Sequence, residues 1–145
     1  MTATEMRRGD NMNYFDCLKS GSFCGKSSGD VENYMTSDIE VGTIDQNGAN
    51  SDNTNRLRTK DFTTLPAGDF SLFFTAASNI YCMMFRYAAD GTFIDRSGSG
   101  YFVSPPLTFT AQEGQKFRFV FSTQTSGGST PMESSDVHNL ILVAK

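Results

Sequence analysis

The residues best suited to chemistry in this chain are cationic. Arg56, Arg58 and Lys60 alternate with Leu57 and Thr59, and Lys116 and Arg118 alternate with Phe117, Phe119 and Phe121. A strand sends successive side chains to opposite faces, so if Leu57 and the three Phe point inward, the cations share the outer face of a sheet. Arg86 joins them if Tyr81, Phe85 and Tyr87 also point inward. Guanidinium forks hold carboxylates through paired hydrogen bonds. Arg56, Arg58, Arg86 and Arg118 are therefore the candidate binding residues, for an acidic glycan or for carboxylates of a neighbouring subunit. The competing expectation is that they pair with Asp and Glu of their own sheet, because outward strand residues are routinely charged.

Other chemistries have a weaker footing. His138 is the single histidine and has no Ser or Cys partner in a recognisable arrangement, so nucleophilic catalysis is not expected and the chain reads as a non-enzyme. Asp and Glu number 16, but nearly all fall in turns, where Asp is ordinarily solvated. Asp38, Glu40, Asp136 and Asn139 would bring oxygen ligands together if the first and last strands adjoin. Nothing in their spacing fixes a coordination geometry, and neither a metal nor a cofactor is expected. The run Gly21-Ser22-Phe23-Cys24-Gly25-Lys26-Ser27 imitates a phosphate loop, yet Ser20 stands where that motif needs Gly, and no strand precedes it. Arg8-Gly9-Asp10 spells an adhesion tripeptide and reads as coincidence.

The elements that must position these residues follow from composition. A chain of 145 residues suits one domain with an appendage. Its 13 Phe and 13 Gly, with abundant Ser, Thr, Asn and Asp, suit short strands joined by polar turns. The formal charge of -4 argues against general attraction to nucleic acid. No apolar run is long enough to span a bilayer, and Thr2 to Arg8 holds no signal-peptide core, so synthesis in a cytoplasm is expected. Three cysteines do not make a disulfide framework. Cys82 reads as a buried apolar residue, while Cys17 and Cys24 read as free thiols that oxidation could join.

Residues 1–36 carry aromatic and apolar residues without periodicity and read as an extended arm, which cannot offset its conformational entropy by burying itself. From Ser37 onward strands are predicted at Ile39–Ile44, Arg56–Lys60, Asp69–Thr75, Asn79–Tyr87, Thr92–Asp95, Leu107–Thr110, Lys116–Ser122 and Val137–Ala144. Tyr101–Val103 pairs briefly, and Pro105-Pro106 keeps its neighbourhood out of a central ladder. Asp90-Gly91 supplies a hairpin turn between two of the strands. About eight short strands and no helical pattern predict an all-β, antiparallel two-sheet jelly-roll sandwich over residues 37–145, preceded by the arm.

The ordered pieces Glu40-Val41-Gly42-Thr43-Ile44-Asp45, Asn55 to Lys60, Tyr87 to Ile94 and Phe109-Thr110 followed by Gly114 to Arg118 resemble a carbohydrate-binding-module-like jelly-roll domain. Such domains recur in bacteriophage virion and tail surface proteins and in bacterial cell-surface proteins. The resemblance spans about Ser37 to Lys145 and implies a module that binds glycans or serves structurally on a particle. Sugar-binding relatives stack sugars on exposed Trp or Tyr, whereas this chain has no Trp. The first expectation is therefore a non-enzymatic phage structural protein, a capsid decoration, fibre or tail component on the virion surface. It would be held to other virion proteins by residues 1–36 and would associate as a homo-oligomer. The alternative is a host-attachment protein that recognises cell-surface glycans, with no nucleic-acid or membrane partner in either case.

Overall fold

The computed structural model describes residues 31–145 apart from Ala77 and Gly127. Most of the expected arm, including Cys17, Cys24 and the two motif-like stretches before residue 30, lies outside the described residues. The compact unit runs from Asn33 to Lys145. It starts earlier than the sequence boundary at residue 37 because Asn33 and Tyr34 hydrogen-bond to the last strand. The Tyr34 amide donates to Leu142 O at 2.7 Å, the Leu142 amide donates to Asn33 Oδ1 at 2.8 Å, and the Tyr34 ring meets Phe70 edge-on.

The unit is all-β. Its strands are β1 (Ile39–Val41), β2 (Thr43–Ile44), β3 (Asn50–Ser51), β4 (Arg56–Thr59), β5 (Thr63–Thr64), β6 (Gly68–Ala76), β7 (Tyr81–Tyr87), β8 (Phe93–Arg96), β9 (Leu107–Ala111), β10 (Lys116–Ser122) and β11 (Val137–Ala144). The larger sheet has the order β1-β4-β10-β7-β8, with β5 also on β10; the smaller is β11-β6-β9; β2 and β3 pair as a hairpin. Every pairing is antiparallel.

One long ribbon explains the topology. Residues 56–72 run antiparallel to residues 107–122, first in the large sheet, where Arg56 faces Ser122, and finally in the small one, where Leu72 faces Leu107. At the corner the Leu65 amide donates to Gln115 O and the Gly114 amide to Leu65 O, both at 3.0 Å, so pairing continues as the ribbon changes sheets. A paired ribbon folded across two sheets is the jelly-roll wrap expected from the sequence. The turn at Asp90-Gly91 also forms as expected: Ala88 N donates to Thr92 O, Thr92 N donates to Asp90 Oδ1, and Gly91 takes φ 91°.

The main core lies between the sheets, with Leu57, Cys82, Met84, Phe117, Phe119 and Phe121 facing Phe70, Leu72, Phe109 and Leu142. Phe117, Phe119 and Phe121 are fully buried, each contributing about 1.5–3 kcal/mol of apolar transfer. A second core lies on the opposite face of the large sheet, where Met83, Phe85, Tyr87 and Val120 pack with Ile44 and Phe102. The large sheet is thus covered on both sides.

That second layer changes two expectations. Tyr81, Phe85 and Tyr87 do not face the main core; they belong with the outer cluster, and Cys82 and Met84 take the inner face. The reason is that β7 is apolar at both parities, so alternation alone does not say which set is inward. The expected strand Ile39–Ile44 is also split at Gly42, whose φ of 146° suits glycine and where a Cβ would lie 2.6 Å from Arg58 Nη1. The break lets β2 and β3 fold over the sheet as a flap.

Candidate functional site

Arg56, Arg58 and Arg118 do come together on the outer face of the large sheet, as their alternation predicts, but the flap lies over them. Arg58 donates from Nε to Glu40 Oε2 at 2.8 Å and from Nη1 to Thr43 O and Ser51 O at 3.0 and 3.1 Å. It therefore ties one strand of the flap to the other. Arg118 is only 7% exposed; Nε and Nη2 fork onto Thr59 O at 3.2 and 2.5 Å, and Nη1 reaches Asn50 Oδ1 at 2.6 Å. Arg56 stacks over the Phe102 ring at 4.7 Å and contacts Thr43 Oγ1 at 3.4 Å.

Burial pushes both Arg118 and Arg56 below the ordinary guanidinium value. For Arg118, neighbouring Arg58 acts in the same direction, while Tyr87 and Glu40 oppose it. A guanidinium surrounded mainly by carbonyl and amide oxygens keeps its hydrogen bonds but gains little charge compensation. The cluster functions as a fastening. Its acceptors are backbone oxygens of Thr43, Ser51 and Thr59 together with the side chains of Glu40 and Asn50, and these occupy the positions a carboxylate ligand would take.

Arg86 stands apart from the other three. Its register partner on β10 is Phe117, it lies 5.6 Å from that ring's centroid, and so it belongs to the inner parity with Cys82 and Met84. There it bridges the sheets at one end of the sandwich, donating to Asp95 Oδ1 at 2.9 Å, Thr110 O at 2.6 Å and Gln115 Oε1 at 3.2 Å. The expectation that Arg86 shares the outer face is therefore corrected, because the outer position on β7 went to Tyr87 and Phe85 beneath the flap.

The flap is the feature that sequence reasoning missed, since two strands of two residues carry almost no periodic signal. Asp45-Gln46-Asn47-Gly48 was the available clue. Asp45 Oδ1 accepts from Asn47 N at 2.8 Å and Ala49 N at 3.1 Å, and Gly48 takes φ 82°. The tip is pinned by Tyr87, whose hydroxyl donates to Gly48 O at 2.8 Å, and by Phe93, whose ring leaves no room for a Cβ at Gly48.

Two of the four oxygen-bearing residues considered for a cation have partners of their own. Glu40 pairs with Arg58, Asp136 accepts from the Glu133 amide, and no group of metal-ligating residues occurs among the described residues. Cys82 is buried, and burial pushes its thiol up to about 12, which leaves it without thiolate character near neutral pH.

What stays open is at the side of the sandwich. A cleft of about 620 Å³ is lined by Thr36, Ser37, Asp38, Lys60, Ser134 and Leu140 among others. It lies where the chain passes from the small-sheet edge, near Asn33, to β1 at the large-sheet edge. Next to it β11 carries a bulge, with the register shifting between His138 and Ile141 and Asn139 at φ 55°. Comparison with protein-family models, curated proteins and solved structures finds no match. No helix among the described residues is long and apolar enough to cross a membrane.

Proposed function

We propose that this chain is a non-enzymatic structural protein of a bacteriophage virion, a capsid decoration, fibre or tail component. In this reading residues 1–36 attach it to other virion proteins and the jelly roll is displayed on the particle surface as part of a homo-oligomer. The observation that supports it over glycan recognition is the fate of the arginines. Arg58 and Arg118 hold the flap to the large sheet, so the charged groups best suited to an acidic sugar are spent on the fold. A sandwich with both faces of one sheet covered suits a particle component, whose work is to keep its shape while its edges meet neighbours.

A second reading, host attachment through surface glycans, draws on the hydroxyls of Thr36, Ser37 and Ser134 around the open cleft. Hydroxyls and an apolar floor are suitable partners for a sugar. The deciding experiment compares the full chain with a truncation lacking residues 1–32, by light scattering and on a glycan array. The structural reading expects an assembly larger than a dimer that shrinks to a dimer or less on truncation, with no sugar bound. A full chain that stays small and binds a glycan overturns it.

A further inference from the structure

β1 ends the larger sheet, with no strand on its outer side among the described residues, and the hydrogen-bonding pattern of that edge can be worked out from the β4 side. In an antiparallel pair, alternate residues point their amide and carbonyl toward the partner and the intervening ones point them away. Lys60 N donates to Asp38 O and Gly42 N to Arg56 O, each at 2.9 Å. With Glu40 opposite Arg58 in register, residues 38, 40 and 42 face β4. Ile39 and Val41 therefore direct their amides and carbonyls to the outer edge, where no hydrogen bond reaches them among the described residues.

The side chains agree with the backbone. Ile39 and Val41 share the inward parity of Leu57 and Thr59, yet Val41 is 44% exposed because the sandwich is open there, and Ile39 lines the cleft. One added strand would satisfy the four edge groups and cover Val41. We propose that this edge pairs with β1 of a second copy about a two-fold axis, joining two large sheets into one continuous sheet. The inference rests on the structural reading above and names the contact by which copies meet.

Self-complementarity favours a second copy over an unrelated peptide. Antiparallel pairing centred on Glu40 sets Ile39 opposite Val41 of the other copy and Val41 opposite its Ile39, so both hydrogen-bonded pairs match an apolar residue with an apolar residue. Glu40 would meet its own equivalent, but each carboxylate is already held by Arg58 at 2.8 Å, which offsets the like-charge cost. Two sandwiches abutting along a short edge bury on the order of 1,000 Å² in total, the lower limit of specific interfaces. A concentration-dependent pair is expected. Natural edge strands are commonly blunted by charge or proline; β1 has no proline, and its one charge, Glu40, is held by Arg58.

Val41→Pro is the selective test, because it removes an outward amide that the fold does not use and proline is tolerated on the solvent side of an edge strand. Sedimentation equilibrium and amide exchange would be run on the full chain across a concentration series from micromolar to millimolar. The expected result is that the Ile39 and Val41 amides become protected as concentration rises, and that Val41→Pro lowers the average mass about twofold at the high end. Val41→Lys, which keeps the backbone amide and adds edge charge, gives the same result if the proline variant proves unstable.

An average mass unchanged by either variant overturns the edge pairing while leaving the structural reading intact. A full chain that is monomeric at every concentration overturns both. Edge protection that does not vary with concentration means that a segment of the same chain covers β1, which overturns the second-copy assignment.

Discussion

Replacing Arg118 by Met asks whether the buried arginines are a fastening or a ligand site. Met keeps the unbranched apolar stem and is shorter only by the guanidinium head, so packing along the stem is retained. Lost are the fork onto Thr59 O and the bond to Asn50 Oδ1. Hydrogen bonds to a charged group contribute about 1.5–3 kcal/mol each, so counting the fork as one and Asn50 as another gives roughly 3–6 kcal/mol. Part returns, because the guanidinium no longer has to be desolvated, and the net loss is about 2–4 kcal/mol. Urea unfolding reads this as a midpoint lowered by about 1–2 M at a typical slope. Native-state exchange of the amides of residues 43–51 should rise more than that of the β6–β9 pair, because Asn50 anchors the flap. A stability change below about 0.5 kcal/mol, the range of an ordinary surface substitution, would refute the fastening argument.

Gly48→Ala should cost about 2–3 kcal/mol, since a Cβ there meets the Phe93 ring at 2.5 Å and φ is +82°. Gly91→Ala, with φ +91° but nothing within 4 Å, should cost only about 1 kcal/mol; equal losses in thermal unfolding would remove the close-contact explanation. Cys82 sets an alkaline limit: its folded thiol is pushed up to about 12 by burial, while in the unfolded chain it ionises near 9. The unfolded state then binds fewer protons, so stability holds below pH 9 and falls by up to about 1.4 kcal/mol per unit as pH rises from about 9 toward 12. Cys82→Ala should flatten that part of the curve in denaturant titrations at stepped pH, and an unchanged slope would contradict the burial argument.

The strand and turn plan was legible from residue order because its signals are local. Phe117, Phe119 and Phe121 recur at every second position, and Asp90-Gly91 has the chemistry of its turn, so β10 and the β7–β8 hairpin fall where the pattern puts them. The alternation of Arg56, Leu57 and Arg58 likewise placed the arginines on one face. Tertiary structure alone decided what lies on that face. Strands of two residues such as β2 and β3 acquire their identity from the sheet they cover, and only Gly42 and the turn at Gly48 hint at them. In β7, Tyr-Cys-Met-Met-Phe-Arg-Tyr is apolar at both parities, so the inward set was chosen by which side found a partner layer. Local sequence specifies the pleat of a strand. Which side counts as inside depends on the long-range packing that removes each face from water, and that packing turned an apparent charged surface into a buried fastening.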